Sequence, residues 1–356
     1  MGDESAPARK FLRFDDWPER DRLAWQALFI EGDIFEDAGL ARHWRPATRR
    51  TYQQHYARWL GWLSLQGRLD PDVTPAARMT QTHVRSYGAH LVETLAPCTA
   101  ASALIGLKVV IKAKAPDADW RWLMDLTNRL NTWARPSVDR SPAMRPMEEI
   151  NRAARAELDR LLATPLIRRI DRVAYRDTMM ILLLSACPIR LGNLTGLRIG
   201  THLRREGDRW TLRIDEEETK NRQRLNYLLP RHVAPYLATY LDRVRPSFRP
   251  AEDSDALWLG FEGQPLCAHS VYGRVVLVTK RLFGTPINPH LFRSCAATSL
   301  VEQAPGAARL AAPLLGHRYF ETTERYYVKA GQLVASRQIN AMLAEIAADL
   351  DQGTDP

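Results

Sequence analysis

Apolar side chains recur at helical spacing in the first part of the chain. Between residues 45 and 135, four segments place apolar residues three or four positions apart, the pattern of helices that each bury one face. These positions are Tyr52, Tyr56, Trp59, Leu60 and Leu63; Val84, Tyr87 and Leu91; Leu104, Leu107 and Ile111; and Leu123, Leu126, Leu130 and Trp133. Thr48 is a candidate N-cap for the first helix. The pattern predicts a four-helix bundle over residues 45–135, with the aromatic side chains in its core.

Prolines separate this bundle from a second patterned region. Pro136, Pro142 and Pro146 alternate with polar residues that cannot sustain a helix, so residues 136–150 are predicted to be a linker. The next domain, residues 151–335, opens with a predicted helix whose apolar positions are Leu158, Leu161 and Leu162. A second, buried helix is predicted over the apolar run 179–187.

A small sheet is predicted after this buried helix. The runs 197–203, 210–214 and 224–229 alternate or carry strand-forming residues, and turn residues separate them, so we expect three antiparallel strands. Lys220 would lie in the second turn. Helices are predicted to resume at His232, and one that starts near Asn288 would carry His290 and Arg293.

Charge is distributed unevenly along the 356 residues. The net charge is +9, but the first 40 residues hold ten acidic and five basic residues, so the remainder carries about +14. This favours a polyanionic partner, although charge alone would also suit an RNA or a membrane surface. Residues 1–44 match no binding module, and we interpret them as an acidic N-terminal extension of unknown role, either helical or partly disordered.

The cysteines and the apolar runs indicate a reducing, non-membrane environment. Cys98, Cys187, Cys267 and Cys295 are scattered and form no Cys-x-x-Cys pair, so neither disulfides nor a zinc site are expected. The start of the chain lacks a signal pattern, and the longest apolar run is far shorter than the roughly 20 residues of a membrane span. We therefore expect a cytoplasmic protein.

Residues suited to phosphate chemistry recur through the second domain. They are Arg190, Lys220, the His-x-x-Arg pair His290 and Arg293, His317, and Tyr326, which lies nine positions after His317. A phenol oxygen can attack a phosphodiester while cationic donors hold the phosphate. The adjacent residue, Tyr327, is the close alternative to Tyr326.

This set resembles the catalytic residues of the tyrosine recombinases, the phage-integrase family, in which the order is Arg, Lys, His-x-x-Arg, His or Trp, Tyr. The resemblance extends over about residues 150–330, and by helix pattern alone over residues 45–135. It implies a mainly α fold with a small antiparallel β-sheet: an N-terminal SAM-like helical bundle that binds core DNA, followed by an α+β tyrosine-recombinase catalytic domain. It implies neither a cofactor nor a metal.

The resemblance also implies a role for each catalytic position. Arg190 and Arg293 would grip the non-bridging phosphate oxygens, since guanidinium is planar, permanently charged and able to bind two oxygens at once. His317 would donate to a non-bridging oxygen, and His290 would orient or deprotonate the phenol. Tyr326 would form a 3′-phosphotyrosine, and the spacing from His317 favours it over Tyr327, which we expect to be a packing residue.

Lys220 is supported by composition as well as by resemblance. The chain contains 7 lysines among its 50 basic residues, so arginine is its usual source of positive charge. A leaving 5′ oxygen needs a proton, which lysine can supply and arginine cannot realistically give up. We therefore expect Lys220 to be the general acid.

Four positions depart from the family pattern. Asn193 replaces the Glu or Asp that relatives often carry three residues after the first arginine, Cys187-Pro188 replaces a more usual Thr-Gly, and Ser294 replaces a frequent histidine. None is a catalytic position. The type IB topoisomerases, which share this chemistry, and a catalytically silent DNA-binding regulator are the alternatives.

The resemblance further implies how the enzyme would meet DNA. We expect double-stranded DNA with paired inverted half-sites, a homo-oligomer, with a tetramer on DNA, and possible accessory DNA-bending proteins. Candidate phosphate contacts in the bundle are Arg49, Arg50, Lys108, Lys112 and Lys114. Residues 336–356 form a predicted helix and tail that pack either on their own domain or on a neighbouring protomer.

Overall fold

The described residues fall into two compact units. The computed structural model describes residues 10–33, 35, 37–135, 141–207, 209–248 and 254–303. The division lies between Met1–Asp139 and Arg140–Pro356. Each unit buries an apolar cluster of its own. In the described part of the chain, no helix is both long and apolar enough to cross a membrane.

The regular secondary structure in the described residues of the first unit is entirely helical. Its helices are α1 (Glu19–Ala27), α2 (Pro46–Leu65), α3 (Pro75–Arg78), α4 (Gln81–Thr94), α5 (Pro97–Lys114) and α6 (Arg121–Trp133), and Phe14–Asp16 forms a 3₁₀ turn. The four apolar patterns fall in α2, α4, α5 and α6. The prediction of Thr48 as N-cap was wrong: Arg45 is the N-cap and Pro46 occupies the first turn, where a missing N–H costs nothing.

The described residues before α2 belong to the core of this unit. Trp17 and Trp25 are buried, and Trp17 meets the ring of Tyr56 edge to face at 5.2 Å between centroids. The fully buried Asp21 accepts hydrogen bonds from Tyr56 Oη (2.5 Å) and from Arg78 Nη1 (2.5 Å). A buried carboxylate needs such partners. The described part of the acidic extension is therefore an integral layer of the bundle.

The second unit is built around one buried helix. Its helices are α7 (Met147–Leu162), α8 (Arg169–Ala186), α9 (Leu191–Thr195), α10 (Ala234–Thr239), α11 (Ala268–Phe283) and α12 (Pro289–Gln303), with 3₁₀ turns at Ser141–Ala143, Arg231–Val233 and Arg245–Ser247 and a π-helical turn at Tyr240–Val244. Every residue of α8 from Tyr175 to Leu184 is buried. The prediction of a buried helix that leads to Arg190 is confirmed.

The described residues of this unit include one three-stranded antiparallel sheet, with the order β1 (Leu203–Glu206), β2 (Arg209–Ile214), β3 (Leu225–Leu228). Leu203 pairs with Leu212, and Leu212 with Tyr227, so these three buried residues share one face. The predicted fold class, mainly α with a small antiparallel sheet, is confirmed.

The first strand was predicted too early in the chain. In residues 197–199 the backbone bonds to a distant segment instead: Ile199 N–H donates to Asp255 O (2.8 Å) and Leu257 N–H donates to Leu197 O (2.8 Å). Gly200, at φ 80°, then turns the chain in a conformation that favours glycine. Strand β1 begins only after this turn.

Candidate active site

Arg190 lies at the junction between two helices. Helix α8 ends at Ala186, because Pro188 disfavours helical backbone at Cys187, which lies at φ −130° and ψ 90°. Arg190 has an extended backbone and is the N-cap residue of α9, where Leu194 N–H donates to its carbonyl (2.9 Å). Trp258 Nε1 donates to Leu194 O (2.9 Å) and fixes α9 against the core. The residues between α8 and α9 therefore form a fixed corner of the backbone, and Arg190 lies in it.

The Arg190 side chain holds an unused donor. Its Nη1 atom is buried and has no hydrogen-bond partner among the described residues. Burial lowers the pKa of Arg190, an effect opposed by nearby Tyr227, but a guanidinium stays charged in proteins. Buried donors without partners are rare. An anion such as a phosphate oxygen would satisfy this one.

Arg293 comes from α12 and reaches the same corner. The side chain of Asn288 caps this helix, since its Oδ1 accepts the N–H groups of His290 and Leu291, each at 3.1 Å. One turn further on, Arg293 is 3% exposed and donates from Nη1 to Pro188 O (2.8 Å). This contact joins two positions that lie 105 residues apart in the chain.

Tyr227, on β3, lies within electrostatic range of both arginines. It is buried, and burial raises its pKa, as does Cys187, while Arg293 and Arg190 act in the opposite direction. The two guanidinium groups therefore share one neighbour as well as the Pro188 segment. Sequence analysis missed Tyr227, whose only signal is an inward position on an alternating strand.

Lys220 lies in the loop between β2 and β3, as its position in the sequence predicted. It is exposed. The loop is attached to α9, because Asn193 Nδ2 donates to Glu218 O at 3.1 Å. The Asn193 amide thus connects the segment of Arg190 with the segment of Lys220.

The remaining catalytic candidates divide into two groups. His290 is exposed at the start of α12, one turn before Arg293. His317, Tyr326 and the neighbouring Tyr327 lie outside the described residues. Among the described candidates, the structure thus brings together the segments that carry Arg190, Arg293 and Lys220.

Two of the five candidate DNA contacts in the first unit make internal contacts instead. Arg49 donates from Nε to Trp44 O (3.0 Å) and from Nη2 to Arg42 O (2.9 Å), and its guanidinium lies 4.2 Å from the Phe29 ring centroid. These contacts fix the segment before α2. These contacts occupy the Arg49 guanidinium within the first unit, so Arg49 is not a candidate for a phosphate contact.

Lys114 also turns inward. Its Nζ donates to Asp21 O (3.0 Å) and lies 3.9 Å from the ring centroid of Tyr56. Burial lowers the pKa of Lys114 to about 7; Asp21 opposes this effect and Arg78 adds to it. Lys114 therefore stabilises the core of the first unit and is not a candidate for a phosphate contact. Arg50, Lys108 and Lys112 remain as candidates.

Comparison with known proteins identifies the family. A sequence model described as the Phage integrase family matches residues 152–332, which is half of the chain. The chain belongs to the phage integrase family. The matched range contains all six candidate catalytic residues of this family member.

Individual relatives are distant. The chain is 28% identical over 174 residues to the tyrosine recombinase XerD of Pseudomonas aeruginosa, a match that covers 48% of the chain and 55% of the relative. It is 28% identical over 205 residues to XerD of Chlorobaculum tepidum, covering 53% of the chain and 64% of that protein. The matches thus span little more than half the length of these curated relatives.

A solved structure shares the fold. The post-cleavage complex of the XerH site-specific recombinase with its palindromic difH substrate matches with a TM-score of 0.55 and 16% identity, over 80% of this chain and 77% of that one. At this identity the match concerns the fold only. It agrees with the mainly α architecture of this phage-integrase chain.

Proposed function

We propose that this chain is a site-specific DNA recombinase that breaks and rejoins strands through a 3′-phosphotyrosine on Tyr326. The observation that carries the proposal is the hydrogen bond between Arg293 Nη1 and Pro188 O (2.8 Å), because it brings the second arginine to within two residues of the first. Two guanidinium groups in one corner, one of them with an unused donor, form a site for a phosphate.

The proposed reaction uses each group at a stated atom. The Tyr326 oxygen attacks phosphorus and forms the O–P bond, while the bond from phosphorus to the 5′ oxygen breaks and that oxygen takes a proton from Lys220 Nζ. Arg190, Arg293 and His317 stabilise the non-bridging oxygens, and each such donor is worth roughly 100- to 1000-fold in rate. The phosphotyrosine conserves the energy of the broken bond, so rejoining needs no external energy source.

His290 completes the proposed set. Its exposed position one turn before Arg293 leaves it accessible to a DNA phosphate or to the attacking phenol. A histidine can accept a proton near neutral pH. We propose that His290 takes the phenol proton as Tyr326 attacks. In the reverse step, the freed 5′ hydroxyl attacks phosphorus and returns its proton to Lys220, while the bond to the Tyr326 oxygen breaks and that oxygen takes back the proton from His290.

The proposed substrate is double-stranded DNA with paired inverted half-sites. The XerH structure is described as bound to a palindromic substrate, and a two-fold DNA site suits a protein that acts as a symmetric oligomer. We propose a tetramer on DNA, possible accessory bending proteins, and a cytoplasmic, nucleoid-associated location. We propose integration or excision of a mobile element as the biological role, with resolution as the alternative role.

Covalent capture on nicked DNA tests the proposal. Duplexes with randomised inverted half-sites and a nick beside the cleavage position would be incubated with the full chain, and products that resist detergent would be sequenced. A nick lets the cleaved end diffuse away, so the covalent product accumulates. We expect wild type to form it, Tyr327→Phe to form it equally, and Tyr326→Phe to form none.

Three results would contradict the proposal or its choice of nucleophile. Absence of covalent product from wild type on every duplex would remove the enzyme function. Loss of product in Tyr327→Phe, with retention in Tyr326→Phe, would move the nucleophile by one residue. Relaxation of supercoiled plasmid without a selected site would favour the topoisomerase alternative.

A further inference from the structure

The loop that presents Lys220 is held from outside itself. Lys220 is exposed, and its side chain makes no hydrogen bond or ion pair within the described residues. The position of its ammonium therefore depends on the backbone of the loop. A general acid works only within hydrogen-bond reach of the leaving oxygen, and a displacement of about 1 Å can cost on the order of 100-fold in rate.

Glu218, two residues before Lys220, is the anchor point of this loop. Its backbone carbonyl accepts the hydrogen bond from Asn193 Nδ2 (3.1 Å). Its carboxylate meets His202 Nε2, at 3.0 Å from Oε1 and 2.9 Å from Oε2. The carboxylate is 50% exposed, whereas the side chain of His202 is 5% exposed. The Glu218 carboxylate thus attaches the loop to the buried His202, and the Glu218 carbonyl attaches it to the Asn193 amide.

His202 is itself fixed. The N–H of Arg198 donates to its Nδ1 (3.0 Å), so Nδ1 bears no proton and Nε2 carries the hydrogen that Glu218 accepts. The ring therefore has one defined orientation. It projects from the turn before β1, and it gives the carboxylate a rigid donor.

The loop is also closed around Lys220. Thr219 is 1% exposed, and its Oγ1 accepts the N–H of Gln223 (2.9 Å) and donates to Glu216 O (3.2 Å). Arg222 adopts φ 51°, which a residue other than glycine takes up only when its surroundings hold it there. Residues 218–223 therefore behave as a closed turn with its fixed point at Glu218.

We propose that Asn193, His202 and Glu218 form a bracket that positions Lys220 for proton transfer to the leaving oxygen; this rests on the proposed function. The three are positioning residues, since each acts through the loop. The bracket also explains why Asn193 replaces the Glu or Asp that relatives often carry. An amide can donate to the Glu218 carbonyl, whereas an ionised acidic side chain can only accept. The His202 contact supplies the second attachment.

A substrate with an altered leaving group tests this role. In a duplex whose 5′ oxygen at the cleavage position is replaced by sulfur, the leaving group is a thiolate, which departs without a proton far more readily than an alkoxide. On this duplex, a variant that lacks the general acid should cleave at nearly the wild-type rate. A variant that lacks phosphate stabilisation should remain slow. The experiment uses the full chain and the duplex recovered by covalent capture.

Glu218→Ala is the primary variant, because the half-exposed side chain can be removed without opening the core. We expect cleavage of the normal duplex to slow about 10- to 100-fold, less than the roughly 100- to 10,000-fold that a positioned acid contributes. On the sulfur duplex we expect a rate within about threefold of wild type. Asn193→Asp, which keeps shape but loses the donor, should behave alike, and Glu218→Gln, which still accepts from His202, should recover most of the normal rate.

Three controls separate the possible explanations. Glu217→Ala removes the same charge from the neighbouring exposed position and should change neither rate by more than about twofold. Lys220→Ala should be slow on the normal duplex and rescued by sulfur. Arg293→Ala should be slow on both.

The outcomes divide cleanly between the two proposals. If wild type cleaves but Glu218→Ala matches it on both duplexes, or is slow on both, the bracket does not position the acid and this inference is overturned. If wild type forms no covalent product, the proposed function fails first. Rescue of Lys220→Ala without rescue of Glu218→Ala would also contradict the bracket while leaving the enzyme intact.

Discussion

Arg293 meets two demands that no other side chain could meet at this position. It is 3% exposed, it donates one N–H to Pro188 O, and its guanidinium lies within electrostatic range of Tyr227, as does that of Arg190. Lysine carries its three donors on one nitrogen, so it lacks the planar fork that lets separate nitrogens bind the carbonyl and a phosphate in fixed directions. The buried carbonyl of Pro188 would also lose its partner.

Arg293→Lys should therefore slow covalent product formation by roughly 100- to 1000-fold. It should also lower the free energy of unfolding by about 1–3 kcal/mol, because a buried acceptor is left unsatisfied. Single-turnover cleavage and urea denaturation measure the two effects. Arg209→Lys, at an exposed position on β2, is the matched control. A rate equal to that of wild type would show that Arg293 serves the fold alone.

Lys114 predicts a pH dependence of stability. Its pKa in the folded chain is about 7, below the usual 10.5, chiefly because of burial. Between these two values the unfolded chain holds a proton that the folded chain has released, so unfolding takes up a proton. The free energy of unfolding should thus rise with pH from about 7 toward 10.5, by up to about 1.4 kcal/mol per pH unit. Below pH 7 both states are protonated and the slope vanishes.

Urea denaturation of wild type and Lys114→Met at pH 7 and pH 9 tests this. Eight of the ten tryptophans lie in residues 1–139, so tryptophan fluorescence reports mainly on this unit. The difference in unfolding free energy between wild type and variant should shift in favour of wild type at the higher pH. Lys112→Met, at an exposed position on the same helix, should show no such shift. Equal behaviour of both variants would place the Lys114 ammonium in solvent.

At the level of elements, α11 offers two glycines that differ only in backbone conformation. Gly284 is the C-cap of α11 at φ 72°, and Gly273 lies inside the helix. A Cβ at either position would meet no other atom within 4 Å, so space does not distinguish them. Alanine costs about 1–2 kcal/mol in left-handed backbone and gains about 0.5–1 kcal/mol over glycine inside a helix.

Gly284→Ala should therefore lower the thermal stability of the second unit, and Gly273→Ala should raise it. The two changes add the same methyl group, so each is the control for the other. Calorimetric unfolding of the full chain measures both. Shifts of the same sign would mean that α11 does not end at Gly284 as described. Because α12 begins five residues later, Gly284→Ala should also slow cleavage through His290 and Arg293.

The elements show which features a sequence can reveal. The apolar spacing of Tyr56, Trp59 and Leu63 predicted a helix because periodicity is local information. The strand predicted at 197–203 failed because Leu197 and Ile199 bond to residues near position 256, and no local pattern contains that partner. The inward direction of Lys114 depends on Asp21, 93 residues away, and His202 meets Glu218, which follows it by 16 residues. Only folding brings such partners together.

At the level of the whole molecule, the basic surface predicts how DNA binding depends on salt. Lys108 is partly exposed and Lys112 exposed on α5, and neither makes an ion pair within the described residues, whereas Lys114 on the same helix points inward. Each phosphate contact contributes about 0.9 to the slope of log affinity against log salt concentration. Replacement of Lys108 and Lys112 by glutamine should lower the slope by about 2 and leave sequence preference unchanged, since phosphate contacts carry no base information.

Fluorescence anisotropy with a random-sequence duplex between low and moderate salt measures the slope at pH 8. Lys114→Met should leave it unchanged. An unaltered slope in the double variant would exclude this face of α5 from the DNA interface, and an equal fall in Lys114→Met would assign the effect to the stability of the bundle instead.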